Sequence, residues 1–188
     1  MKEKQDILRQ IRVQMKKEGL DALIIPSMDP HQSEYVANHW ATRAWLSGFT
    51  GSAGTAVITL KHAGLWTDSR YFIQAEKELK DSPFELHKLN IAHTAEHLSW
   101  LVQNLKKATV IGLDGNLLSV NQIVAIEQKV KSKSISINTK VDLLYRFWTD
   151  RPALPQSPIF ELKQKYAGQS RSDNRTKRRQ CTDHSQSR

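Results

Sequence analysis

The stretch that most constrains the fold is the glycine-rich segment Ser47–Thr55, which leads directly into the apolar run Thr55–Leu60. Three glycines so close together are typical of a turn whose backbone takes a positive φ or passes close to a neighbouring segment. The run TAVITL is short, apolar and β-branched, which predicts a buried strand. Residues Leu65–Thr67 predict a second strand, paired back on the first through a turn at Lys61–Gly64. The segment therefore predicts a β-hairpin that is entered through a tight turn.

A helix is predicted directly after this hairpin. Asp68 or Ser69 can cap its N-terminus, and this role is favoured over a catalytic one, for which Asp68 would need a raised pKa. The apolar stripe of the helix is Phe72, Ile73, Ala75 and Leu79. The glycines precede a strand, whereas a dinucleotide-binding fingerprint follows one, and no Gly-Lys-Ser/Thr sequence comes after them. A nucleotide-binding enzyme is therefore the least favoured interpretation.

Helices and short strands alternate along the rest of the chain. Helices are predicted at residues 4–18, after Ser33, from Thr94 to Lys106, from Ser119 with Ile123, Val124, Ile126 and Val130 inward, and at Val141–Trp148. Strands are predicted at Ala22–Ile25, Phe84–Leu89, Ala108–Leu113 and Ser134–Asn138. This order predicts an α/β fold with a mixed, mostly parallel sheet that contains one β-hairpin and is flanked by helices on both faces.

Composition divides the chain into three predicted parts. Residues 1–150 carry the predicted elements and form one α/β domain. Residues 151–170 open with prolines spaced three apart, at Pro152, Pro155 and Pro158, which is typical of an extended linker between domains. Residues 171–188 contain six basic and two acidic side chains and no aliphatic one. They are therefore predicted to form a disordered basic tail.

The net charge of +9 raises the question of a nucleic-acid partner. The body of the chain has no basic stripe with interleaved aromatic residues, so nucleic acid is not predicted as a partner. The single cysteine, Cys181, excludes a disulfide framework, and the N-terminus lacks the apolar core of a signal peptide. No run approaches the ~18 apolar residues of a membrane span. These features predict a soluble, cytoplasmic protein without a membrane partner.

Histidines supply the candidate metal ligands. His93 and His97 would share one helix face, but they do not form an HExxH zinc motif, and a helix N-terminus with two surface histidines is favoured. His31 lies near Asp29 and Glu34 in the sequence. Together these three side chains would bind a metal or orient a substrate. Alternatively, Asp29 and His31 form hydrogen bonds to the backbone groups of a turn. The second interpretation is favoured.

Several segments of the chain resemble one family of metallopeptidases. They are PSMDPHQSEY at 26–35, SGFTGSAG at 47–54 and LWTDSRYF at 65–72, with shorter matches at Trp148–Pro152 and Tyr166–Gly168. Between Ile7 and Ser170 the chain resembles the amino-terminal domain of cytosolic Xaa-Pro aminopeptidase (aminopeptidase P), of the creatinase/prolidase or pita-bread superfamily. The family usually has glycine where Ser69 stands. The resemblance implies the creatinase N-terminal fold, which contains a ribonuclease H-like motif.

The same resemblance implies a non-catalytic role. In the family, the ligands of a dinuclear metal centre, usually two manganese ions, lie in a later domain. No catalytic residue or metal ligand is therefore carried over onto this sequence, and no cofactor is expected in this chain. The family's amino-terminal domain shapes access to the active site and contributes to assembly. His31 and Arg43, on predicted loops within the matching motifs, are the candidate substrate-access residues.

The chain is expected to act in one of two ways. The first is as a fragment of a metalloaminopeptidase that removes an N-terminal residue preceding proline. Its substrates would then be proline-containing peptides, the full-length enzyme would be a homodimer, and a second domain would begin near Tyr166. The tail after Ser170 would mark a truncation or frame shift, and the chain alone would hydrolyse nothing. The second is as a stand-alone interaction module whose basic tail binds an acidic partner or nucleic acid, with strong salt dependence.

Overall fold

The computed structural model describes residues 2–141 and 143–174. The chain divides into two units, Met1–Leu154 and Pro155–Arg188. The helices of the first unit are α1 (Lys2–Lys17), α2 (Thr42–Ser47), α3 (Phe72–Leu79), α4 (Glu96–Asn104) and α5 (Val120–Val130). Its strands are β1 (Ala22–Pro26), β2 (Thr55–Thr59), β3 (Ala63–Thr67), β4 (Glu85–Lys88), β5 (Val110–Gly112) and β6 (Ser136–Asn138). Short 3₁₀ turns lie at Asn38–Trp40, Ser69–Tyr71, Gly115–Leu117, Lys131–Lys133 and Leu144–Arg146.

Among the described residues, the six strands form one sheet in the order β4-β3-β2-β1-β5-β6. The pairs β1–β5, β5–β6 and β3–β4 are parallel, whereas β2 is antiparallel to both β1 and β3. Strands β2 and β3 are the predicted hairpin, and β1 lies in the middle of the sheet, as its short apolar sequence predicts. The predicted fold class is confirmed, a mixed and mostly parallel α/β sheet with one hairpin.

Alternate residues of the strands bury against helices on opposite faces of the sheet. On one face, Leu23 and Ile25 of β1 pack in a cluster with side chains of α1, α2 and α3. On the other face, Ala22 and Ile24 pack with side chains of α4 and α5. Burying a large aliphatic side chain in this way contributes roughly 1.5–3 kcal/mol. The apolar run of β1 therefore forms a strand that is covered on both faces.

Helix α1 follows its sequence pattern closely. Leu8, Ile11 and Met15 are spaced three or four apart and are at most 3% exposed. Gly19, just beyond the helix, has φ +68°, the left-handed conformation that glycine adopts without steric cost. The predicted helix over residues 4–18 is confirmed, and it begins two residues earlier.

The predicted inward faces of two helices are partly wrong. In α3, Ala75 and Leu79 are buried, whereas Ile73 is 85% exposed. A residue two positions from Ala75 lies about 200° around the helix from it, so both cannot face the sheet. In α5, Val124 is likewise exposed, although Ile126 is buried as predicted. The predicted start of α5 is confirmed, because Ser119 forms a capping box with Gln122.

Two predicted helices are wrong. No helix begins at Ser33, because the carboxylate of Asp29 accepts hydrogen bonds from the backbone N–H groups of His31 and Ser33 and holds this segment as a turn. Helix α2, which sequence reasoning missed, lies instead at Thr42–Ser47. The helix predicted at Val141–Trp148 is a 3₁₀ turn at Leu144–Arg146.

The second unit contains the short helix α6 (Gln164–Ala167), which Gly168 ends with φ +69°. Residues 171–174 form a separate helical turn, in which the N–H of Asn174 donates to the carbonyl of Ser170. Most of the predicted disordered tail, residues 175–188, lies outside the described residues. Within the described ranges, none of the helices combines the length and the apolar character that crossing a membrane requires.

Candidate functional site

The loop after β1 carries His31, the first candidate substrate-access residue. Its backbone N–H donates to Oδ1 of Asp29 at 2.8 Å, and the N–H of Ser33 donates to the same oxygen at 3.1 Å. Asp29 is only 2% exposed. Burial opposes ionisation of this carboxyl, but the hydrogen bonds from Ser33 and His31 outweigh it and lower the pKa of Asp29. The interpretation that Asp29 satisfies turn backbone groups is therefore confirmed.

The His31 ring itself is exposed and packs edge-on against Trp40, with the ring centroids 6.1 Å apart. His39 packs on Trp40 as well, at 5.0 Å. Nδ1 of His39 lies 2.7 Å from the carbonyl oxygen of Pro152, and Nε of Arg151 donates to the carbonyl of His39 at 2.7 Å. The structure therefore places the His31 ring in a group with Trp40 and His39, and His39 is hydrogen-bonded to residues 151 and 152.

Arg43, the second candidate, lies in helix α2 and not on a loop, and it is only 5% exposed. Its Nη1 donates to the carbonyl of Phe49 at 2.9 Å, and its Nη2 donates to the carbonyl of Gly51. Burial lowers the pKa of Arg43 to about 10, while the Glu78 carboxylate acts in the opposite direction. The guanidinium therefore stays charged at neutral pH and fastens the glycine-rich turn to α2. Its predicted role in substrate access stays a prediction.

The glycine-rich turn is held from its other side by α3. The N–H and the hydroxyl of Thr50 donate to the two carboxylate oxygens of Glu78, at 2.8 and 2.7 Å. A Cβ on Gly51 would lie 2.3 Å from the ring of Phe49 and 2.7 Å from that of Tyr71. Glycine is required here because the backbone passes directly over two aromatic rings. The turn is thus a packed structural element, which agrees with the rejection of a phosphate loop.

Asp68 and Arg70 bond to each other at the 3₁₀ turn Ser69–Tyr71, which leads into α3 and which Asp68 caps. Its carboxylate accepts hydrogen bonds from the backbone N–H of Arg70 at 3.1 Å and from Nε and Nη2 of Arg70 at 2.9 and 2.8 Å. The side-chain bonds from Arg70 lower the pKa of Asp68, despite its burial. A catalytic acid would need the opposite shift. The cap interpretation is confirmed, with Asp68 and not Ser69 as the capping residue.

His93 and His97 do not share a helix face, so that prediction is wrong. His93 precedes α4 and has φ +62°, whereas His97 lies in the first turn of α4. The His97 ring is half-buried at 6.4 Å from the ring of Trp66, and burial lowers its pKa to about 4. The two side chains are therefore held in different environments.

Sequence reasoning missed a third group, formed by His62, Glu85 and His87. Nε2 of His62 lies 3.0 Å from Nε2 of His87, and Nδ1 of His62 lies 3.7 Å from Oε2 of Glu85. Glu85 and His87 are two residues apart on β4, which places both on one face of the sheet. That spacing was visible in the sequence. The partner His62, however, comes from the β2–β3 turn, and the parallel pairing of β3 with β4 brings it close.

Comparison with known proteins places these features in a family. The family model of the creatinase/prolidase N-terminal domain matches residues 8–144. The chain is 39% identical over 165 residues to Xaa-Pro aminopeptidase 2 of Homo sapiens and 36% identical over 175 residues to Xaa-Pro aminopeptidase 1 of Dictyostelium discoideum. These alignments cover 86% and 88% of the chain but 24% and 28% of the relatives. The chain thus spans about a quarter of the length of the curated relatives it matches.

Solved structures give the same result. The chain superposes on X-prolyl aminopeptidase from Caenorhabditis elegans, described as a cytosolic enzyme with a di-nuclear active site, with a TM-score of 0.76 and 32% identity. The match covers 89% of this chain and 27% of that one. The N-terminal domain of the cytoplasmic peptidase PepQ from Mycobacterium tuberculosis matches with a TM-score of 0.59 and 19% identity, covering 76% of this chain and 98% of that domain. This second match shows the shared fold. The chain belongs to the creatinase/prolidase N-terminal domain family.

Proposed function

We propose that this chain is the amino-terminal, non-catalytic part of a metal-dependent Xaa-Pro aminopeptidase, which removes an N-terminal residue preceding proline. The observation that carries the proposal is the 39% identity over 165 residues to Xaa-Pro aminopeptidase 2, of which the aligned segment forms 24%. The parent enzyme is proposed to be a cytoplasmic homodimer with a dinuclear centre. By the family resemblance, its metal ions are manganese, held outside this chain.

The charged groups that the sequence singled out support a non-catalytic role. The carboxylates of Asp29 and Asp68 are ionised and bound to backbone N–H groups or to Arg70, so neither is poised to transfer a proton. The guanidinium of Arg43 is bound to carbonyl groups of its own unit. These side chains stabilise the fold of the domain. We therefore propose that the domain contributes to the enzyme through the shape of its own surface.

His31 and Trp40 are the proposed contacts for the peptide. His31 lies on the loop that follows β1 and is exposed. Its ring packs against that of Trp40. An aromatic surface is a suitable partner for proline, because the rigid apolar ring packs on it at low entropic cost. We propose that this loop borders the entrance to the active site and selects proline-containing peptides. We also propose that the domain contributes to assembly of the homodimeric enzyme, a role that is assigned to no particular residue.

A domain exchange tests this function. Residues 1–170 would replace the matching N-terminal part of the C. elegans X-prolyl aminopeptidase, and cleavage of an Xaa-Pro peptide would be measured. The chimera is expected to cleave the peptide, and His31→Ala is expected to raise KM with little change in kcat. His93→Asn serves as the exposed-loop control, because asparagine tolerates the positive φ of this residue. A folded but inactive chimera, or cleavage of the peptide by the isolated 188-residue chain with manganese, would contradict the proposal.

A further inference from the structure

His62, Glu85 and His87 bring three potential metal-ligand atoms within 4.8 Å of one another at the edge of the sheet. The two Nε2 atoms face each other at 3.0 Å, and Glu85 lies beside the far nitrogen of His62. We propose that His62 and His87 bind a zinc-like divalent transition-metal ion through their Nε2 atoms, with Glu85 as the carboxylate partner of His62. The site goes beyond the proposed peptidase function and is tested independently of it.

The distances suit a metal of this class. Zinc binds imidazole nitrogen at about 2.0–2.1 Å, so two ligands of a tetrahedral ion lie roughly 3.3 Å apart. The observed 3.0 Å requires the rings to separate by only a few tenths of an ångström. A zinc-bound histidine commonly donates its other ring N–H to a carboxylate, and Glu85 stands 3.7 Å from Nδ1 of His62 in that position. Glu85 also offsets the charge of the cation.

The neighbouring residues hold both rings in place. The ring of His87 stacks on Trp66 at 4.0 Å with an interplanar angle of 8°, and the ring of His62 lies 4.6 Å from that of Trp100. A Cβ on Gly64 would lie 2.7 Å from Nε2 of His62 and 2.8 Å from Cδ2 of His87. The absence of a side chain at Gly64 therefore leaves the space in which the two imidazoles meet. Such preorganisation reduces the entropic cost of binding an ion.

The ring nitrogens of His62 and His87 share one hydrogen bond in the absence of metal. Burial lowers the pKa of His62, with Glu85 opposing and Arg12 adding to the shift, and burial also lowers the pKa of His87. A metal is bound by the neutral form of imidazole, through a free nitrogen lone pair. Without metal, one Nε2–H donates to the other Nε2. When the metal binds, that proton moves to the other nitrogen of its ring, and the shared hydrogen bond becomes two metal–nitrogen bonds.

Two cations oppose the metal. Arg12 and Lys61 line the same open cleft as His62 and Glu85. Nε of Arg12 donates to the carbonyl of Thr59 at 3.0 Å, which fixes the guanidinium near the site. Water in the open cleft screens this repulsion. Removal of the Arg12 charge is therefore expected to tighten metal binding, which a site unrelated to His62 would not show.

The experiment is a calorimetric titration of the full 188-residue chain with Zn²⁺. It uses a Cys181→Ser background, because a thiol is a competing zinc ligand. One ion per chain is expected, lost in His62→Asn and in His87→Asn. Glu85→Gln is expected to weaken binding about 10–100-fold, and Arg12→Gln to strengthen it several-fold. His93→Asn, an exposed histidine whose positive φ asparagine tolerates, is the control and should bind as the parent does.

Co²⁺ titration of the parent chain gives a readout that needs no core substitution. The ion should show tetrahedral visible absorption and quench tryptophan fluorescence, because Trp66 and Trp100 flank the site. If a histidine variant fails to fold, Glu85→Gln and Arg12→Gln still test the assignment, since both change the charge of the cleft. Absence of Zn²⁺ and Co²⁺ binding by the folded parent would overturn the proposal. So would binding that the substitutions at 62, 85 and 87 leave unchanged.

Discussion

The guanidinium of Arg43 contacts both the backbone carbonyl and the aromatic ring of Phe49. Its Nη1 donates to the Phe49 carbonyl at 2.9 Å, and its guanidinium lies 4.9 Å from the centre of the Phe49 ring. Phe49 is fully buried and lies at the start of the turn that leads to β2. The pair thus joins α2, the glycine-rich turn and the core, because one charged fork satisfies backbone carbonyls that have no strand partner.

Arg43→Lys is expected to lower the free energy of unfolding by about 1.5–3 kcal/mol, because an ammonium cannot bond two separate carbonyls in the geometry of the fork. Urea unfolding followed by tryptophan fluorescence measures the change. Arg9→Lys is the matched control, since the Arg9 side chain is 76% exposed, and should change the value by less than about 0.5 kcal/mol. An equal loss of unfolding free energy in the two variants would show that the paired hydrogen bonds of the Arg43 guanidinium do not stabilise the domain.

Leu79→Ala and Ile73→Ala test which face of α3 is buried. Leu79 is 6% exposed and packs in the core, so its truncation should cost about 2–5 kcal/mol. Ile73 is 85% exposed, and its truncation should cost less than about 0.5 kcal/mol. Thermal and chemical unfolding of the two variants gives the comparison. A large loss at Ile73 in the isolated chain would mean that the helix is rotated from the position described.

Asp68→Ala removes the cap of the 3₁₀ turn Ser69–Tyr71 that leads into α3, and it should cost about 1 kcal/mol at pH 7. The pKa of Asp68 is lower in the folded chain than in the unfolded one, chiefly through its bonds to Arg70. The stabilisation that the ionised Asp68 carboxylate provides is complete above pH ~4, the pKa of aspartate in the unfolded chain. It is lost as the pH falls through the pKa of Asp68 in the folded chain. The parent and Asp68→Ala should therefore converge in stability towards acid pH. Asp81→Ala, at an exposed aspartate, is the matched control.

His97 should remain neutral down to unusually low pH. Burial lowers its pKa to about 4, whereas the unfolded value is about 6.5. The unfolded chain binds the proton more readily between these values, so the stabilising contribution is complete above pH 6.5 and declines as the pH falls towards 4. An NMR titration of the ring resonances of His97 measures this pKa directly. A His97 pKa near 6.5 would contradict the burial described.

Local patterns account for the parts of the fold that the sequence predicted well. The spacing of Leu8, Ile11 and Met15 determines the face of α1, and the apolar run of β1 indicates a strand covered on both sides. The glycine-rich turn and hairpin were visible because glycine, β-branched residues and turn residues act within a few positions. The helix predicted after Ser33 is absent, and the chain there forms a turn in which the Asp29 carboxylate accepts hydrogen bonds from the N–H groups of His31 and Ser33.

The sequence by itself determined the order of the strands and of helices α1, α3, α4 and α5, the hairpin and the family, and it singled out His31 and Arg43 as candidates. Only the tertiary structure decided what those side chains contact. It buried Arg43 against the turn, left His31 exposed, and brought His62 to Glu85 and His87 through the pairing of β3 with β4. The physical reason is that periodicity and turn chemistry act over a few residues, whereas a site assembled across paired strands depends on register between distant segments.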